Sequence, residues 1–285
     1  MNRYDGAKTV SILGVLGNLF LFFIKIVVGI ASNSQAMIAD AANSATDIFA
    51  SLMSFIGNRI ASEPGDNSHN FGHGKAEYIF SLFISLSMVF LSAKLLYDAI
   101  INLISQSVFT FSWFLVVVCI ITILVKLSLY VHAKVILKNN YNILISATMQ
   151  DHRNDCIITS STLISILFSF IQIYWLDSIV GIGISIWIFY TGIKLFIESY
   201  NILMDVSIDS QTQSLIMDII NNYPDIKKLD NISSTPVGYQ YMVVVTICLD
   251  GNMSTFDSHN LADLLENDIT KLDKIYKTIV HVNPV

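Results

Sequence analysis

Charge is scarce in this chain. Asp, Glu, Lys and Arg make up 13% of its 285 residues, against 53% hydrophobic residues. The mean hydropathy is +0.60. Soluble domains carry about a quarter charged residues, so this composition excludes an ordinary soluble protein and reads as an integral membrane one. Cysteine is sparse as well. Cys119, Cys156 and Cys248 are scattered with no CxxC spacing, which argues against a disulfide framework and a thiolate zinc site. There is no basic excess: the formal net charge is −6. Residues 1–204 hold 11 Lys and Arg against 11 Asp and Glu, while 205–285 hold 5 against 11. A C-terminal segment this acidic excludes nucleic acid as a partner and modestly concentrates cations nearby. No nucleophile-base constellation and no cofactor motif is visible, so neither an enzyme nor a bound cofactor is expected. No cleavable signal peptide is apparent either, because the first apolar stretch is long enough to span.

What the chain does have is length of apolar run. Stretches of about 20 residues or more, enough to cross a hydrocarbon core of roughly 30 Å, lie near 11–32, 36–58, 77–101, 110–133, 141–169 and 172–195. That pattern predicts an α-helical membrane protein with six transmembrane helices over residues 1–204. Arg3 and Lys8 precede the first stretch. Arg59 and Lys75 lie between the second and third, and Lys134 and Lys138 between the fourth and fifth. The remaining short connections carry no Lys or Arg, so the positive-inside rule predicts a multi-pass cell-membrane protein with both termini cytoplasmic.

Two of the six stretches are interrupted by polar residues. In the fifth, Asp151, His152, Arg153, Asn154 and Asp155 are consecutive, and a charged side chain at bilayer depth costs roughly 3 kcal/mol on insertion scales. Asp151 and Asp155 are one turn apart on one helical face and repel each other unless a cation sits between them. His152 points about 100° away from that face. In the second stretch, Asp40, Asn43 (or Ser44) and Asp47 form one stripe that must face inward. Counted along each helix, Asn43 and Asp47 fall near the same bilayer depth as Asp151 and Asp155, so antiparallel packing would join them into a metal site. Asn18 and Lys25 in the first stretch read as buried or snorkelling residues.

Between the second and third stretches, Asp66, His69 and His73 lie among glycines at 65, 72 and 74. They read as a mobile loop able to supply three ligands. Residues 205–285 change character. A helix near 210–222, strands near 228–234 and 240–249, a helix near 257–272 and a strand near 276–283 give an αββαβ order. This fits a small ferredoxin-like or metallochaperone-like α+β cytoplasmic domain. About 80 residues make a marginal core, so pairing with a second copy is expected.

Together these features resemble the cation diffusion facilitator family of divalent-metal/proton antiporters, over essentially the whole chain. The loop NSHNFGHGKAE is closely similar to that family's H-x-F-G-H-G-K-x-E signature. The resemblance implies a homodimer whose transport site is Asn43, Asp47, Asp151 and Asp155. It also implies a loop metal site at Asp66, His69 and His73, an interlock between Lys75 and Asp205, and C-terminal ligand positions at His259 and His281. Family zinc and iron exporters usually carry His where this chain has Asp151. With no imidazole left in the set, oxygen donors alone favour a harder ion. The set looks like that of the family's bacterial manganese exporters. Mn²⁺ is therefore the expected cargo, exchanged for protons carried by the carboxylates, with Asp40 as a relay. A broader Zn²⁺, Fe²⁺ or Co²⁺ exporter, a channel, and a non-transporting membrane metal sensor are the alternatives.

Overall fold

The structure is a computed structural model that describes residues 3–31, 35–105, 113–139, 141–168 and 175–285. The connections at 32–34, 106–112 and 169–174, read above as outer loops, lie outside the described residues. Six long helices come first: α1 (Arg3–Ala31), α2 (Gln35–Ala61), α3 (Ala76–Ser105), α4 (Trp113–Asn139), α5 (Ile143–Phe168) and α6 (Trp175–Leu203). Among the described residues, α1, α3, α4 and α6 are long and apolar enough to cross a membrane. α2 and α5 are as long, at 27 and 26 residues, but fall short on apolarity. They are the two helices whose interiors carry the polar stripe and the polar run. Composition therefore supports four clear spans where the apolar pattern predicts six.

The chain divides into two compact units. The first holds residues 1–62 and 76–200, the second 63–75 and 201–285. In the first unit, α1 packs along α2 and α4 along α5, with α5 also meeting α2 and α3. The buried stripe of α1 runs Ala7, Ser11, Gly14, Asn18, Leu21 and Lys25, at spacings of three and four that keep one face inward. It meets a stripe on α2 of Ser44, Asp47, Ser51, Ser54 and Asn58. Rungs of hydrogen bonds cross between them: Ser11 Oγ and Ser54 Oγ lie 3.0 Å apart, and Asn18 Nδ2 donates to Ser51 Oγ at 3.2 Å. Lys25 Nζ donates to Ser44 Oγ at 3.0 Å and is buried, so this lysine does not snorkel. Small side chains let the two backbones approach, and hydroxyls satisfy one another where lipid could not. α5 starts at Asn142, whose side chain accepts from the N–H groups of Leu144 and Ile145 at 2.9 and 3.1 Å. Outward faces are apolar, as at Phe20, Phe23, Phe83 and Phe90.

The second unit contains α7 (Ser210–Asn221), β1 (Lys228–Val237), β2 (Gln240–Leu249), α8 (Thr255–Thr270) and β3 (Ile275–Pro284). The αββαβ order expected from the sequence is present. The sheet order is β1-β2-β3, with β1 antiparallel and β3 parallel to β2. β1 runs three residues further than the apolar pattern suggests, through Pro236. An edge strand tolerates a residue with no N–H to give to the ladder. Gly238 (φ +64°) leads a two-residue turn into β2, the position where such hairpins need glycine. Val243, Val245 and Ile247 of β2 are fully buried against Ile216 and Ile220 of α7 and Leu265 and Ile269 of α8. Asp209 and Ser254 cap the two helices by accepting from Thr212 N–H and Asp257 N–H.

Candidate metal centre

α2, α4 and α5 converge on a lysine. Lys126 lies on the buried stripe of α4 that runs Cys119, Thr122, Lys126, Leu129, Ala133 and Ile136. Its ammonium is 1% exposed. Nζ donates to Asp47 Oδ2 of α2 at 2.7 Å and also to Asp155 Oδ2 of α5. The carboxylates expected to share a metal thus share an ammonium. Two carboxylates from different helices meet at one cation because each alone would be a stranded buried charge.

Asp151, His152 and Asp155 each offer a ligand atom within 4.8 Å of the others, and all three residues are buried. This corrects the expectation that His152 points away. Neighbouring side chains leave a helix 100° apart, but the ring is long enough to lie near both Asp151 and α1. A Cβ at Gly14 would come 3.5 Å from His152 Nε2. Asp151 Oδ2 and both ring nitrogens of His152 are buried without a hydrogen-bond partner. Buried polar atoms are rarely left so, and three at one place call for a partner such as an ion or a water. The side chains of Asn43 and Asp40 lie outside the described ones. Lys126 is the residue that sequence reasoning missed. The rule that marked the aspartates, a charge deep in an apolar span, marks it equally, since it sits about 15 Å along α4 from Val116.

In the second unit, the loop after α2 forms a tight turn rather than an open tether. Asp66 Oδ1 accepts from the N–H groups of Ser68 and His69 at 2.8 and 2.6 Å, and Gly72 N–H donates to His69 O at 2.9 Å. His69 Nδ1 lies 3.6 Å from Asp66 Oδ1, and His73 Nε2 lies 3.9 Å from Asp66 Oδ2. The backbone N–H groups of His69 and Ser68 hold the Asp66 carboxyl below the usual carboxylate range, so it is an anion ready to ligate. The three residues are close enough to hold one ion. Gly74 abuts the β1–β2 turn, where a Cβ on it would come 2.9 Å from Gly238 Cα. Lys75 Nζ meets Asp205 Oδ1 at 2.8 Å.

Asp205 has φ +55° and ends α6 in a Schellman arrangement. Val206 N–H donates to Asn201 O at 2.9 Å and Asp205 N–H to Ile202 O at 3.3 Å. His259 on α8 is exposed, with Nε2 3.7 Å from Asp263 Oδ2. His281 on β3 pairs in register with Thr246. Among the described residues, neither histidine joins a group of three ligands. On the same helix as His259, Asp257 Oδ2 accepts from Ser254 Oγ at 2.6 Å as part of the α8 cap.

Residues 11–204 match the cation efflux transmembrane domain and residues 208–285 match the cytoplasmic domain of cation efflux proteins. The chain belongs to the cation efflux, or cation diffusion facilitator, family. It is a multi-pass divalent-cation efflux transporter with a small cytoplasmic α+β domain, and members of its family are transporters rather than enzymes. It is similar to an uncharacterized transporter of Methanocaldococcus jannaschii, 28% identical over 96% of this chain and 97% of that one. It is also similar to the manganese efflux system protein MneP of Bacillus subtilis, 26% identical over 99% of this chain and 97% of MneP. The cation-efflux pump FieF of Shewanella oneidensis is 26% identical over all of this chain and 96% of its own.

Proposed function

We propose that this protein exports Mn²⁺ in exchange for protons by alternating access, as a homodimer in the cell membrane. Each protomer would have six spans, with both termini cytoplasmic. The ion is held at mid-membrane by Asp47, Asp151 and Asp155, with Asn43 completing an oxygen set. The observation that carries this reading is the convergence of α2 and α5 carboxylates on a single cation. Oxygen donors favour hard divalent ions, and the manganese efflux relative adds support. Protons arriving from outside displace the ion, with Asp40 as a relay on the α2 stripe. The compact Asp66, His69 and His73 loop offers a second ion position. Lys75 and Asp205 form an interlock within the second unit, and His259 and His281 contribute at most incomplete metal positions.

A second reading is favoured by one finding, the imidazole of His152 within the cluster. A nitrogen donor suits Fe²⁺, Co²⁺ or Zn²⁺, which would broaden the range of ions carried.

The test is metal flux in proteoliposomes across Mn²⁺, Zn²⁺, Fe²⁺ and Co²⁺ with an imposed pH gradient. Antiport predicts Mn²⁺ flux that reverses with the gradient. Flux indifferent to pH would indicate a channel, and absent flux with metal binding confined to the tail would indicate a sensor. Either result removes the reading.

A further inference from the structure

We propose that Lys126 is a tethered counter-cation that competes with the transported divalent ion for Asp47 and Asp155, setting the site's divalent affinity and excluding monovalent ions. The proposal rests on the mid-membrane site above and adds a residue from α4 to it. An ion bound to both Oδ2 atoms, at the roughly 2.0–2.6 Å that oxygen-ligated divalent ions adopt, would occupy the gap that Nζ now fills. The ion and the ammonium cannot be there together, so entry of one requires departure of the other.

The structure provides somewhere for the ammonium to go. A cavity of about 20 Å³ adjoins it, lined also by Lys25, Thr122, Ile158 and Thr159. That is room for one water-sized group. Thr122 lies one turn before Lys126 on the same face of α4, and its Oγ1 is buried with no hydrogen-bond partner. A lysine side chain has enough rotatable bonds to withdraw its Nζ to that hydroxyl without moving the helix.

Exchange then discriminates by charge. A tethered ammonium is confined beside the carboxylates by its own side chain, so it competes without having to be drawn from solution. A sodium or potassium ion that displaces it gains one unit of charge for one lost and must also shed its water. A divalent ion gains about twice the attraction from the same two carboxylates. If the ammonium vacates the carboxylates about a tenth of the time, the apparent dissociation constant is about tenfold above the intrinsic one.

The experiment is Mn²⁺ titration calorimetry on the full-length detergent-purified protein, in sodium chloride and in choline chloride, joined to flux in proteoliposomes. Lys126→Gln is expected to bind Mn²⁺ about tenfold more tightly, with KM and kcat for flux both lowered because release slows. Its affinity should fall when sodium replaces choline, whereas wild type and Lys126→Arg should not respond. Unchanged or weaker Mn²⁺ binding by Lys126→Gln overturns the proposal. So does a Lys126→Gln protein that fails to fold both with and without Mn²⁺, which would make the lysine a structural bridge. Recovery of folded variant only in the presence of Mn²⁺ supports it, since the metal then stands in for the ammonium. Asp155→Asn separates the two levels: wild-type Mn²⁺ binding by that variant would remove the site itself, while loss of binding keeps the site and leaves Lys126 to be judged alone.

Discussion

Lys126 of α4 and Asp47 of α2 form a buried ion pair 2.7 Å long, with side-chain exposures of 1% and 5%. Asp47 is therefore held by a partner that no pattern on its own helix reveals. Removing Asp47 leaves the ammonium with Asp155 as its remaining carboxylate, so one buried charged contact is lost without stranding the lysine. Asp47→Ala should abolish Mn²⁺ flux and also destabilise the protein by roughly 1.5–3 kcal/mol, the cost of a lost hydrogen bond to a charged group. From the α2 stripe alone, a folded and unperturbed variant would be expected. Thermal unfolding in detergent beside proteoliposome flux distinguishes these outcomes, and an unchanged melting temperature would contradict the pairing.

Ion preference should follow ligand type. Asp151→His adds an imidazole next to the one already close by, and the expected result is a shift of flux from Mn²⁺ toward Zn²⁺. Competition flux with both ions present measures it. An unaltered ratio would mean that donor chemistry is not what selects.

The Lys75–Asp205 pair can be separated from the backbone it sits on. Both side chains are partly exposed, at 39% and 54%, so the ion pair itself is worth no more than about 1 kcal/mol. Asp205→Asn removes the charge but keeps a residue that tolerates positive φ. Asp205→Ala adds the cost of that conformation, about 1–2 kcal/mol. Amide exchange in residues 63–75 and 201–208 should therefore speed up slightly in Asp205→Asn and several-fold more in Asp205→Ala. Equal effects would show that the left-handed backbone carries no strain.

Asp209 supplies a pH-dependent contribution to the second unit. The Lys274 ammonium at 2.8 Å, then the Thr212 N–H and hydroxyl, hold its carboxyl well below the usual carboxylate range. A lowered folded-state value means the stabilisation is fully present above the unfolded value of about 3.9 and is lost as pH falls through the folded one. Loss of the cap in Asp209→Ala should cost about 1 kcal/mol at neutral pH. The gap to wild type should narrow only below about pH 4. Exchange protection of α7 amides across that range reports it, and a gap that closes near neutrality would contradict the assignment.

Much of this could be read from residue order. The nearly unbroken apolar run YMVVVTICL marks the central strand β2, whose inward Val243, Val245 and Ile247 form the core. The i, i+4 aspartates and the polar stripe of α2 mark inward faces, because an unpaired charge cannot face lipid. Local sequence is sufficient there because the helical and strand repeats settle which face a residue occupies. The partner on the other helix is a different kind of fact. Lys25 and Lys126 look alike along the chain, each a lysine inside an apolar run, and an isolated helix would let either snorkel. Only the packing of α1 against α2 gives Lys25 the hydroxyl of Ser44, and only the meeting of α2, α4 and α5 gives Lys126 two carboxylates. His152 was misread for a related reason, since helical angle describes where a side chain leaves the backbone and not how far a long ring reaches back. Periodicity decided which residues turn inward. Tertiary structure decided what each of them finds there, because the energy of a buried charge depends on neighbours that are distant in sequence.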